Sequence, residues 1–173
     1  TALQLAEQGL SVALFDKGGR KGENAAAYVA AAMLAPAAEA VEATPEVIKL
    51  GRQSIPLWRN IRGRLKTPTM MQENGSLIVW HGQDKPLSGE FVRHLKRGGV
   101  ADDEIVRWHA NDIAEREPQL GGRFSDGLYL PTEGQLDGRQ MLSALADALD
   151  GLNVPCHWEH ECAPDDLQAQ YDW

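Results

Sequence analysis

Leu3, Ala6 and Leu10 recur at helical spacing at the start of the chain, and Gly9 stands where a C′ glycine closes such a helix. Residues 12–15 form an apolar run of strand length that ends on Asp16. A polar loop over 18–24 leads into residues 25–40, dominated by alanine. That run reads either as a packed helix limited by Pro36 or as small side chains that let backbone approach a flat ligand. Thr44-Pro45-Glu46 is a helix start, and Val47, Ile48, Ile55, Trp58, Ile61 and Leu65 mark an amphipathic helix with Pro56 inside it. Arg52, Arg59, Arg62 and Arg64 give that helix a basic flank, read as a solvated face.

After Thr67 the period changes. Residues 70–72 and 76–80 read as two strands around an Asn74-Gly75 turn. A short helix over 87–96 stops at Gly98-Gly99, and Asn111 caps a segment over 112–117 that Pro118 ends. Residues 127–130 form another strand before a turn at Thr132-Glu133-Gly134. Asp137 and Gln140 have the spacing of a capping box, Met141, Leu142, Leu145 and Leu149 supply a buried stripe, and Gly151 closes the helix. Residues 154–162 then read as a strand. Small, mostly antiparallel strands between parallel βα pieces predict an α/β nucleotide-binding domain interrupted by a second domain.

Composition narrows the classes. A net charge of −8 opposes phosphate-backbone binding, and 43% hydrophobic with 24% charged residues is ordinary globular composition. No apolar run approaches the roughly 20 residues of a membrane span. Cys156 and Cys162 are too few for a disulfide framework, so the cytosol is the expected compartment. The chain opens inside a helix without Met and closes at Trp173 on the approach to another apolar segment, so it is read as part of a longer protein.

The candidate chemistry lies at Asp16. In a mononucleotide-binding βαβ unit an acid at the end of the second strand accepts the ribose hydroxyls, and its glycine fingerprint lies roughly 20 residues upstream, here before residue 1. The plain alternative is a turn acid. The cluster Cys156, His157, Glu159, His160, Glu161 and Cys162 suggests a metal at first sight. On a strand, however, Cys156, Trp158, His160 and Cys162 take one face and His157, Glu159 and Glu161 the other, so no tetrahedral set follows and no metal is expected. His81 and His109 read as surface histidines, and no nucleophile–base constellation emerges.

Several stretches taken together resemble the FAD-dependent D-amino-acid oxidase family. They are 14–18, 30–36, 74–77, 113–120 and, most distinctive, Gly127-Leu128-Tyr129-Leu130-Pro131 leading to Gly134-Gln135-Leu136-Asp137-Gly138-Arg139. Within the family the likeness is nearest the glycine oxidases of thiamine biosynthesis. The resemblance implies an incomplete FAD-binding, Rossmann-like domain of the glutathione-reductase type, interrupted by a mixed α+β substrate domain. Its expected parts are residues 1–65 and 137–173 for FAD and 66–136 for the substrate domain.

As the resemblance implies them, the FAD-binding residues are Asp16 and Lys17 at the adenosine ribose, Ala26 and Ala27 in the following loop, Ala31, Ala32 and Met33 beside the flavin, and Ala163 at adenine. Relatives often carry hydroxyls at the positions of Ala26 and Ala27, and Gly where this chain has Ala32. The implied activity is oxidation of a small amine or amino acid, glycine preferred, to an imine, with oxygen reduced to hydrogen peroxide. The substrate clamp is expected beyond residue 173, and this stretch alone is expected to be inactive. Other readings are the FAD module of a sarcosine oxidase or of a tRNA-modifying enzyme, the one case with a nucleic-acid partner, or a nucleotide-binding module without chemistry. Homo-oligomerisation stays open.

Overall fold

The computed structural model describes residues 1–167. In chain order the elements are α1 (Ala2–Glu7), β1 (Leu14–Phe15), α2 (Ala26–Val29), β2 (Met33–Leu34), α3 (Pro45–Arg64), β3 (Met71–Gln72), β4 (Ser76–Val79), α4 (Lys85–Arg97), β5 (Val106–His109), α5 (Ala110–Arg116), β6 (Asp126–Leu130), β7 (Gly134–Leu136), α6 (Gly138–Gly151), β8 (Cys156–His157) and α7 (Pro164–Leu167). Two compact units emerge among the described residues: Thr1–Ala32 with Arg62–Met70 and the chain from Leu136 onward, and Met33–Ile61 with Met71–Gln135. By compactness, most of α3 therefore groups with the second unit, although it lies within the residues 1–65 expected for the first domain part. The apolar approach expected at 168–173 lies outside the described residues.

In the first unit β1 and β8 pair in parallel, Leu14 opposite Cys156 and Phe15 opposite His157. α1 ends as its glycine requires: Gly9 takes φ +82°, and Leu10 N–H donates to the Leu5 carbonyl at 3.2 Å, the bond of a Schellman turn. Leu10 itself is exposed, so the expected buried side of α1 reduces to Leu3 with half-buried Ala6. α6 buries Met141, Ala144, Ala146 and Leu149. The Asp137 carboxylate accepts from Gln140 N–H at 3.0 Å, so half of the expected capping box forms. The Gln140 side chain instead accepts from Met70 N–H at 2.8 Å.

The second unit holds two three-stranded sheets, ordered β2-β7-β3 and β4-β6-β5. β4 and β5 both run antiparallel to β6. The hairpin expected around Asn74-Gly75 does not form, because β3 and β4 belong to different sheets. Gly75 takes φ +78°, and a Cβ there would lie 2.4 Å from the Tyr129 ring, so the chain turns out of one sheet at the place that ring fills. The core gathers Ala37, Ala40, Ile48, Leu95, Val100 and Leu130, with Phe91 and Ile105 against it.

The basic flank of α3 is paired rather than simply solvated. Arg52 holds Glu104 with two bonds of 2.6 and 2.8 Å, Arg59 pairs with Glu73, Arg64 pairs with Glu7, and Arg62 donates to the Thr69 carbonyl. The alanine-rich run is not a helix either. It makes the one-turn α2, an extended Ala30, and then β2.

Candidate functional site

The first unit supplies the acid expected at the strand end. β1 is held against the chain before and through β8, Leu14 N–H donating to the Pro155 carbonyl at 2.9 Å and Asp16 N–H to the His157 carbonyl at 3.1 Å. The chain after β8 then folds back, with His160 N–H on the Asp16 carbonyl at 3.0 Å and Glu159 N–H on the Gly18 carbonyl at 2.9 Å. That return requires Glu159 at φ +56°, a conformation costing a non-glycine residue about 1 kcal/mol or more.

The strand expected over 154–162 is thereby cut to two residues. The facial separation of His157 from His160 fails with it: their ring centroids are 6.2 Å apart, and both lie against Phe15, which stacks on His157 at 4.5 Å. Among the described residues no three His, Cys, Asp or Glu side chains are placed to hold a metal ion.

The Asp16 carboxylate is exposed and half committed. Oδ1 accepts from Gly18 N–H at 2.7 Å, which fixes the side chain in a tight turn, and Oδ2 has no partner among the described residues. A carboxylate so held can accept from one or both hydroxyls of a ribose without reorganising. Lys17 beside it is exposed. A cleft of about 230 Å³ adjoins Asp16, walled by Leu3, Leu14, Leu142 and Leu145 and by Arg20. Arg20 is not a free cation there, since it pairs with Asp147 and Asp150 at 2.7 and 2.6 Å; that pairing is the main cause holding the Asp147 carboxyl below its usual range.

The other expected residues take two further places. Ala26 and Ala27 lie on α2, exposed, with no side-chain hydroxyl to offer. α2 is fixed by the start of α6: Arg139 stacks over the Tyr28 ring at 4.6 Å and donates to its carbonyl at 3.1 Å. A Cβ on Gly138 would sit 2.6 Å from the Ala27 carbonyl oxygen, so only glycine admits that approach.

Ala31 and Ala32 follow, and Ala32 takes φ +52°, its carbonyl accepting from Leu136 N–H at 3.1 Å. The chain thus keeps at Ala32 the left-handed backbone for which glycine is the usual residue. Ala163 is exposed just before α7. Met33 belongs to the second unit and is 58% exposed at the start of β2. The cleft beside Asp16 collects Ala25 but none of Ala26, Ala27, Ala31, Ala32 or Ala163.

The second unit contributes two features with no sequence signal. One is a cavity of about 750 Å³ lined by Ile78, Trp80, Phe91, His94 and Phe124 and by the exposed His81, apart from every expected FAD-binding residue. The other is Glu133, 1% exposed, whose Oε1 accepts from the N–H groups of Ala37 and Ala38 at 2.7 and 2.9 Å. Burial pushes its carboxyl above the usual range, against the opposing pull of the Ser76 hydroxyl and those two N–H donors.

A family model described as FAD dependent oxidoreductase (DAO) matches residues 1–164. A putative thiamine biosynthesis oxidoreductase ThiO of Rhizobium etli is 35% identical over 155 residues, 88% of this chain and 43% of that protein. The glycine oxidase of Geobacillus kaustophilus superposes with a TM-score of 0.74 at 21% identity, covering 92% of this chain and 43% of that one. The glycine oxidase of Bacillus cereus gives 0.75 at 19%, covering 92% and 44%. The chain therefore spans less than half the length of these relatives, and it has their fold. It belongs to the FAD-dependent oxidoreductase (DAO) family.

Proposed function

From membership of the FAD-dependent oxidoreductase family, we propose that this chain forms the adenosine-holding part of a flavoprotein that oxidises a small amine or amino acid, glycine foremost. The observation that carries the reading is Asp16, an exposed carboxylate at a strand end, locked through Oδ1 and open at Oδ2. Its place matches the acid that meets the ribose of an adenine dinucleotide. The residues fit FAD: Asp16 would accept from the ribose, and the left-handed backbone at Ala32 supports a close approach of backbone to a planar ring. Hydroxyls missing at Ala26 and Ala27 leave the backbone of α2 as the polar surface there.

Bound FAD would supply the two-electron oxidant, and oxygen is the proposed final acceptor. What these residues do is bind and orient. Asp16 fixes the adenosine end, α6 through Gly138 and Arg139 fixes α2, and Glu159 closes the turn that places Asp16. The printed name of the Rhizobium etli relative supports a role in thiamine biosynthesis. Among the described residues no helix is long and apolar enough to cross a membrane. The unpaired Cys156 and Cys162 fit a reducing compartment, and the cytosol is the proposed location.

The test is the visible spectrum of the purified full-length protein before and after anaerobic addition of glycine. A flavin band that bleaches supports the reading. A band that persists with glycine but bleaches with sarcosine or a D-amino acid moves the substrate within the class. A protein that takes up no FAD on reconstitution overturns the reading.

A further inference from the structure

The cavity of about 750 Å³ lies within the second unit and follows from a helix face that is only partly covered. Along α4 and at its cap, Asp84, Leu87, Ser88, Phe91 and His94 recur at helical spacing, so they share one side of the helix. Towards the end of that side Leu95 is fully buried and Phe91 packs against the core, whereas Leu87 near its start is 61% exposed. Around the uncovered half the cavity is walled by Ile78, by Trp80 just past β4 and by Phe124 before β6, and exposed Val41 adds an apolar rim. The His81 ring meets that of Phe124 with centroids 5.0 Å apart.

The volume falls in the range of about 300–1,000 Å³ that small-molecule sites occupy, and Trp80, Phe91 and Phe124 give it aromatic walls. Its formal charges have one sign. Asp84 and Glu90 bring carboxylates that make no hydrogen bond or ion pair among the described residues, and no Lys or Arg lines the cavity. Elsewhere in the same unit Glu73, Glu104 and Asp126 are each held by an arginine. The Ser88 hydroxyl is spent on the Lys85 carbonyl at 2.7 Å, so it offers no donor to an anion. The ring nitrogens of His81 and His94 complete the polar set. An anion here would meet two carboxylates with no lysine or arginine to offset them. An ammonium would meet those carboxylates and the electron-rich faces of aromatic rings, the combination that recognises quaternary ammonium groups.

We propose that this cavity is a binding site for a small organic cation, an ammonium group carried on an aromatic or branched apolar body. The apolar body fills the space between α4 and Trp80, and Asp84 and Glu90 supply the charge that selects the cation. Every residue lining the cavity belongs to the second unit and none is an expected FAD contact, so the site stands or falls separately from the proposed cofactor role.

The experiment is a ligand-observed NMR titration of the full-length protein with benzyltrimethylammonium, and with 3-phenylpropionate as a probe of similar size and opposite charge. The ammonium probe has no nitrogen lone pair, so the proposed amine oxidation cannot consume it. Wild type is expected to bind it with a Kd of about 1 mM or below, within reach of so small a ligand, and not to bind 3-phenylpropionate at that concentration. Asp84→Asn combined with Glu90→Gln is expected to weaken the probe at least tenfold, and Phe124→Leu at least threefold. The chain's net charge of −8 attracts cations diffusely, so Glu115→Gln with Glu117→Gln, two exposed acids outside the cavity, removes the same charge and should stay within twofold of wild type. Circular dichroism checks the fold of each variant. Where the Asp84 and Glu90 double variant does not fold, each single substitution carries a threefold threshold. A wild-type Kd weaker than about 1 mM overturns the site. So does equal binding of 3-phenylpropionate, or a loss in the cavity variants no greater than in the Glu115 and Glu117 control.

Discussion

Replacing Ala32 by glycine should stabilise the protein. Ala32 takes φ +52°, where the alanine Cβ crowds the following carbonyl, a strain of about 1–2 kcal/mol relative to glycine. Glycine gives back part of that gain by loosening the unfolded chain, about 0.4–1 kcal/mol. The balance favours the variant by about 0.5–1 kcal/mol, read as a rise in Tm of about 1–3 °C by scanning fluorimetry of the full-length apoprotein. Ala32→Val is the matched control, because a β-branched residue is least able to take positive φ, and it should lower Tm. FAD affinity should hold or rise in the glycine variant, which takes a methyl group from the proposed approach to the flavin. A glycine variant less stable than wild type, with valine tolerated, would refute the conformation and with it the argument for close approach.

Gly138→Ala brings a Cβ to 2.6 Å from the Ala27 carbonyl oxygen, and should cost about 1–3 kcal/mol despite alanine's better helix propensity, measured by urea denaturation; unchanged stability would mean α2 is not packed there. Arg52 holds Glu104 in a half-buried pair and is the main cause keeping its carboxyl below the usual range. A carboxyl depressed in the fold contributes stability present above its unfolded pKa and lost as pH falls through the folded one. The gap in urea midpoint between wild type and Glu104→Gln should therefore be full at pH 7 and shrink below about pH 4; a gap independent of pH contradicts the pairing. Glu159→Gly should raise Tm for the reason given at Ala32, read by the same scan, and a fall would show that the Glu159 side chain matters more than its strain.

The parts of the fold written locally were legible. The helix from Pro45, the stop at Gly9 and the carboxylate cap at Asp137 each depend on neighbours within a few residues, and each is found. What depends on distant chain was not. The Asn74-Gly75 turn looks like a hairpin until the Tyr129 ring, more than fifty residues on, takes the space beside Gly75. The strand over 154–162 breaks because Glu159 turns to bond Gly18, and no propensity announces a glutamate at positive φ. Within the candidate site, Asp16 could be named because strand and acid adjoin in sequence. Glu133 could not, since its partners are Ala37 and Ala38 and its only local mark is a turn.

The central claim is that Asp16 holds the adenosine end of FAD, and titration of the full-length apoprotein with FAD and with FMN tests it most directly. FMN lacks the adenosine, so it isolates the flavin end. Loss of a charge-assisted bond to a ribose hydroxyl is worth about 1.5–3 kcal/mol, so Asp16→Ala should weaken FAD by about 10- to 100-fold. FMN binding should be unchanged. Equal weakening of both, or of neither, would contradict the assignment and return Asp16 to the role of a turn acid.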